Sequence, residues 1–373
     1  MRRDGAAGNG GLAMRRRRYL LSGVVSALAA AVALLAVIAS SGGATPQRGA
    51  SPRPASPSAD ARCPDPGRAT PIVFVHGLGS QPSDFTRYAR TGVASTLAAL
   101  PGVAVSYFDY HAYSFDWVTN SHIGPGLAAD IACLADTSRA NGGPGQVVVV
   151  AHSMGGLALR EAAVETVGGR SIASRIGLAV TIATPNTGSW IEGVAAGALR
   201  GVDPASPAGL AAKAIEAAMR HACTSPPGEG APAGLIEACG LLASAQSPAG
   251  RALVPGSPQL AALAPLPVAV PLFAVAGDIH LTSPAVTIGP LSLSVSLPAE
   301  VGDLLVKPDS ALAEQGHTGP YSGTFTDSCT QSVAAAISAQ LASASCEHGD
   351  LLYDPKVSAT VSADVSRYLS ARA

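Results

Sequence analysis

Along most of the chain, short apolar runs rich in β-branched residues alternate with longer stretches whose apolar positions recur at helical spacing. The runs at 72–75 (IVFV), 103–108 (VAVSYF), 146–151 (QVVVVA), 176–183 (IGLAVTIA) and 268–276 (VAVPLFAVA) read as strands. Stretches 85–100, 127–140 and 154–167 read as helices, and an amphipathic helix over 354–369 closes the chain. Strands without polar alternation are buried on both faces, so the rhythm predicts an α/β fold with a mostly parallel sheet and helices on both sides. Two stretches break it. Residues 190–267 are Ala-rich with helical patches at 207–221 and 235–245, and are expected to form a helical insertion. Residues 281–298 alternate apolar and small polar positions around Gly289-Pro290, the pattern of a β-hairpin insertion.

The beginning of the chain has a different texture. Arg2, Arg3 and Arg15 to Arg18 precede an uncharged run over 19–39, followed by Ser40, Ser41, Gly42 and Gly43. A basic cluster, an apolar run and small residues make 1–42 an export signal or an N-terminal membrane anchor, with the arginines on the cytoplasmic side in either case. Residues 43–70 are rich in Pro, Ser, Gly and Ala and read as a linker, leaving 71–373 as the folded domain. The protein is therefore expected to be secreted or held on the outer face of the cell membrane.

Composition narrows the class. Hydrophobic residues make up 47% of the 373 and charged residues 13%, too apolar for a disordered polyelectrolyte. Without residues 1–42 the chain keeps 18 basic and 24 acidic residues, a net charge of −6, which speaks against nucleic acid as a partner. All six cysteines lie beyond the export segment, and an even count outside the cytosol reads as disulfides. Pairing of sequence neighbours is expected, Cys63 with Cys133, Cys223 with Cys239 and Cys329 with Cys346. No C-x-x-C spacing points to zinc.

The sharpest chemical signal is VVVVAHSMGG at 147–156, a four-valine strand running through Ala-x-Ser-x-Gly into the helical LALREAAVETV. This is the pattern of a nucleophile elbow. Its tight turn demands small residues at Ala151 and Gly155 and leaves the Ser153 hydroxyl projecting at the sheet edge, with the helix N-terminus behind it. Acyl transfer at such a serine also needs backbone N–H donors for the developing oxyanion, and Leu78, in the loop HGLG after the first strand, with Met154 would supply them. His76 reads as a brace for that loop, and His152 as a residue behind the site or on its rim, because the turn aims it away from the position of a general base.

Ser153 needs a base to take its proton and a carboxylate to orient that base, in the chain order Ser, acid, His. His280, His317 and His348 follow at sufficient distance, while His221 falls in the helical insertion. His348 is the best candidate, in a polar loop that Cys346 can pin before the last helix. For the acid, Asp303 is preferred over Asp278, which reads as lying directly after a strand that ends at 277. Asp309, Asp327 and Asp350 read as turn or surface residues.

Together PIVFVHGLGS (71–80), VVVVAHSMGG (147–156), TIATPNTGS (181–189), GDLLVKPDSA (302–311) and CEHGDLLYDPKV (346–357) resemble the α/β-hydrolase superfamily, within it the secreted bacterial lipases and esterases and the PGAP1-like acyl hydrolases. The resemblance covers about residues 70–373. It implies Ser153 as nucleophile, His348 as general base and acid, Asp303 as orienting acid, and Leu78 and Met154 as oxyanion donors. It implies no cofactor, and a lipid or other hydrophobic acyl ester as substrate, with a membrane or lipid interface as a contact and the helical insertion as acyl pocket or lid. Ala151 stands where the family more often has Gly, and Leu304 where such lipases often carry a smaller residue. The same triad would also serve an amidase, a thioesterase or an acyltransferase. A catalytically silent hydrolase-fold binding module is the alternative from another class.

Overall fold

The computed structural model describes residues 63–86, 92–189, 243–282, 286–288, 291–293, 302–303, 305–314, 316–317, 319–332 and 345–372. The export segment, most of the linker, the insertion through residue 242, His221 and the pair Cys223 and Cys239 lie outside them.

Six strands, β1 (Thr70–Val75), β2 (Val103–Phe108), β3 (Val147–His152), β4 (Ile176–Ile182), β5 (Leu272–Thr282) and β6 (Gly323–Ser332), form one sheet in the order β6-β5-β4-β3-β1-β2. Every neighbouring pair runs parallel. Successive side chains of a strand point to opposite faces, so each apolar run feeds two cores. Val73, Val75, Val147, Val149 and Ala151 pack on one side with helices α1 (Gly124–Ala140) and α2 (Met154–Ala163). Ile72, Phe74, Val148, Val150, Leu178 and Val180 pack on the other, where Val357, Val361 and Val365 of α3 (Pro355–Ser370) supply a stripe at four-residue spacing. Each fully buried valine of β3 contributes about 1.5–3 kcal/mol. Asp354 caps α3, its carboxylate accepting from the N–H groups of Lys356 (2.7 Å) and Val357 (3.1 Å).

Two differences from the sequence reading bear on the site. First, β5 does not end at 277. It continues to Thr282, held over its last positions by β6, which pairs with it from Gly323↔Phe273 to Ser332↔Thr282. Asp278 therefore lies within a strand. Second, β6 itself (GTFTDSCTQS) has no apolar run, because an edge strand has one partner and a half-wetted face; its Phe325 and Cys329 pack on the core while Asp327 is buried rather than on the surface, 3.4 Å from the Lys356 ammonium. The helix expected over 154–167 stops at Ala163 and is followed by a small antiparallel pair, Thr166–Val167 with Arg170–Ser171. Val286–Ile288 and Leu291–Leu293 also pair antiparallel.

Two disulfides are described. Cys63 to Cys133 ties the segment before β1 to α1, and Cys329 to Cys346 ties β6 to the loop before α3. A buried ion pair, Arg160 with Glu314 at 3.2 Å, adds a polar clamp: the Arg160 guanidinium also donates to the carbonyls of Leu263 (2.9 Å) and Ala264 (3.0 Å), joining α2 to two loops.

Candidate active site

Ser153 sits in the turn between β3 and α2 with φ 55° and ψ −129°, a left-handed backbone that a residue with a Cβ rarely adopts. The surroundings over-determine it. The Ser153 N–H donates to Ile182 O (2.9 Å), and the Gly156 N–H donates back to Ser153 O (3.0 Å). A Cβ at Gly155 would lie 2.4 Å from Val75 O and 2.6 Å from His76 O, so only glycine lets α2 start this close to the end of β1. A Cβ at Gly77 would lie 2.8 Å from Ser153 Cβ, which puts the His76–Gly79 loop directly against the serine. Leu78 is in that loop, half-buried on the core, and Met154 is buried at the first position of α2.

The loop is braced by His76. Its Nε2 accepts from the Tyr110 N–H (3.2 Å), so Nδ1 carries the proton and donates to Gly77 O (3.1 Å). The ring stacks on Tyr110 at 4.0 Å, and the Tyr110 hydroxyl donates to His76 O. Burial pushes the His76 pKa down, keeping the ring neutral.

His348 and Asp303 are brought together, both buried, with His348 Nδ1 2.8 Å from Asp303 Oδ2. The other oxygen, Asp303 Oδ1, accepts from the N–H groups of Leu305 (3.0 Å) and Val306 (2.7 Å), which fixes the carboxylate plane and leaves Oδ2 for the ring. Burial opposes the charged form of His348, but the Asp303 charge, its hydrogen bond and the Glu347 charge outweigh this and raise the His348 pKa above its ordinary value. The His348 N–H donates to Asp303 O (3.0 Å) as well.

The side chains of the other candidates have other partners. Asp278 Oδ2 faces His280 Nε2 at 3.2 Å, on a half-exposed imidazole. His317 Nδ1 donates to Val270 O at 2.8 Å. The loop over 183–189 connects to the acid's segment: Asn186 Nδ2 donates to Ala311 O (3.2 Å) and the Ser189 hydroxyl to Leu305 O (2.9 Å).

Sequence reasoning missed Gly277 and the partner of His152. A Cβ at Gly277 would lie 2.4 Å from Cys346 O and 2.9 Å from Asp303 Cβ, so this glycine lets the acid's segment and the histidine loop converge over β5. His152, next to Ser153, is buried with its ring 4.8 Å from that of His348. A lone glycine at a strand's end carries no signal of what will press on it, and the two histidines are 196 positions apart.

Among solved structures, the chain is similar to a Bacillus licheniformis lipase in its mature form, with 15% identity over 81% of this chain and 93% of that one and a TM-score of 0.44. It is similar to Aspergillus fumigatus lipase B, with 13% identity over 78% of this chain and 51% of that one and a TM-score of 0.42. It is also similar to an esterase from a Rhodococcus species, with 16% identity over 81% and 91% and a TM-score of 0.36. No curated protein matches the sequence. The profile of the alpha/beta hydrolase family matches residues 72–322, and the chain belongs to that family.

Proposed function

We propose that the protein is an exported serine ester hydrolase acting on hydrophobic acyl esters through Ser153, His348 and Asp303. The observation that carries this reading is the 2.8 Å contact of His348 Nδ1 with a fully buried Asp303 carboxylate, supported by the strained backbone of Ser153 at a strand-to-helix turn and by the 4.8 Å approach of the neighbouring His152 ring to that of His348. In the reaction, His348 Nε2 takes the Ser153 proton as Ser153 Oγ bonds to the ester carbonyl carbon, and the developing oxyanion is met by the N–H groups of Leu78 and Met154. The alcohol leaves with the proton from His348. Water, deprotonated by the same imidazole, then releases the carboxylic acid and restores Ser153. Asp303 keeps the proton of His348 on Nδ1, which leaves Nε2 to act as the base.

Support for a hydrophobic substrate comes from Phe115, 43% exposed, whose ring would lie 3.2 Å from a Cβ at Gly79, giving the oxyanion loop an apolar flank. Support for export comes from the arginine-rich start and the uncharged run over 19–39. The test uses residues 43–373 with p-nitrophenyl esters of increasing chain length beside amide and thioester substrates, and a fluorophosphonate probe for the nucleophile. Wild type should be labelled and should hydrolyse esters. Ser153→Ala should lose labelling and, like His348→Ala, at least about a thousandfold in kcat. Labelling unchanged in Ser153→Ala would sink the reading; turnover of amides or thioesters in preference to esters would replace the substrate class.

A further inference from the structure

The chemistry above makes no use of His152. Its Nε2 lies 2.9 Å from the backbone carbonyl oxygen of His348. A carbonyl only accepts, so Nε2 carries the proton and donates. Burial lowers the His152 pKa to about 3, and the nearby His348 pushes it the same way, so the ring stays a neutral donor even while His348 carries the transferred proton.

The bond closes a circuit. His348 is held by three contacts: its N–H on Asp303 O (3.0 Å), its Nδ1 on Asp303 Oδ2 (2.8 Å), and its carbonyl on His152 (2.9 Å). The first two fix the base relative to the acid. The third ties it to the residue covalently attached to Ser153. We infer that His152 is a positioning residue, whose Nε2–H to His348 O bond sets the spacing between the nucleophile and its base. It touches neither substrate nor reacting atom, and works through the backbone of His348. The inference rests on the reading of Ser153 and His348 as nucleophile and base.

Two substitutions in residues 43–373 separate a hydrogen-bonding role from packing. His152→Phe keeps a ring but removes the donor; His152→Gln keeps an N–H near the position of Nε2. The measurements are the rate constant for fluorophosphonate labelling, and kcat and KM on p-nitrophenyl butyrate, with circular dichroism to confirm folding. His152→Phe should slow labelling and kcat by about tenfold to a hundredfold, the scale expected when a catalytic group is misplaced by about an ångström, with KM little changed. His152→Gln should recover most of that loss. Wild-type rates in folded His152→Phe, or equal losses in both variants, would overturn the inference. If His152→Phe does not fold, His152→Gln decides alone: near-wild-type labelling upholds the hydrogen bond, and a tenfold loss in a folded protein refutes it. Failure of wild type to be labelled would instead sink the triad itself, and this inference with it.

Discussion

Removing each disulfide separately tests how the site is held. In the chain-entropy treatment, a bridge closing 17 residues, as Cys329 to Cys346 does, contributes about 3 kcal/mol, and one closing 70 residues, as Cys63 to Cys133 does, about 4.4 kcal/mol. For a domain of roughly 300 residues the unfolding entropy is about 0.6 kcal/mol/K, so the expected falls in Tm are about 5 °C and 7 °C. Activity should rank the other way. Cys346 is buried two positions before His348, and its carbonyl is pressed against Gly277 beside Asp303, so the bridge to β6 fixes the loop carrying His348. Cys63 leads into the start of β1, whereas Ser153 follows the end of the neighbouring parallel strand β3, at the opposite end of the strands.

The assay is thermal unfolding of Cys329→Ala/Cys346→Ala and Cys63→Ala/Cys133→Ala, with kcat and KM on a soluble ester at 25 °C. The first variant should lose about tenfold in kcat from misplacement of His348, with KM nearly unchanged. The second should keep wild-type kcat despite the larger drop in Tm. A wild-type kcat in the first variant, or a loss confined to the second, would refute the view that the bridge near His348 serves the site.

Two more predictions follow from the geometry. His348 accepts a proton only when neutral, and its pKa lies above the ordinary 6.5, so kcat/KM should rise with pH along a limb centred above 6.5; a limb at or below that value in a profile with p-nitrophenyl acetate would contradict the Asp303 pairing. The same raised pKa gives a stability contribution that is full below the unfolded value and lost as pH rises through the folded one. Gly155→Ala puts a methyl 2.4 Å from Val75 O, a rigid backbone atom, and should cost about 1–3 kcal/mol in urea unfolding together with most of the labelling of Ser153; unchanged labelling would show that the turn tolerates the Cβ.

What was legible in the sequence depended on how local its cause was. The elbow around Ser153 is written into ten consecutive residues, because a strand, a tight turn and a helix each demand their own side chains there. The central strands were legible for the same reason: burial on both faces leaves β1, β3 and β4 almost entirely apolar. The carboxylates were harder to tell apart. Asp278 reads as directly following a strand because the apolar run stops before it, and only pairing with β6, an edge strand of mostly polar and small residues, carries β5 on to Thr282. Asp327 looked like a surface residue for the same reason. No local pattern announces the contact between His152 and the His348 carbonyl.

Ser153 and His348 are thus held by different physics. Ser153 sits in strained backbone, which costs about 1–3 kcal/mol and persists because β3 and α2 are buried on all sides and Gly155 lets them meet β1. Its position is an output of the core. His348 belongs to no regular element, and ordering such a residue costs about 1–2 kcal/mol in backbone entropy alone. That cost is offset by the bonds to Asp303 and His152, by the bridge at Cys346, and by the capped start of α3 six residues on. Cavity-making substitutions in β1 or β3 should therefore act on activity through global stability, lowering Tm before kcat. Loss of a single polar contact around residues 345–349 should lower kcat in a protein that still melts almost as wild type.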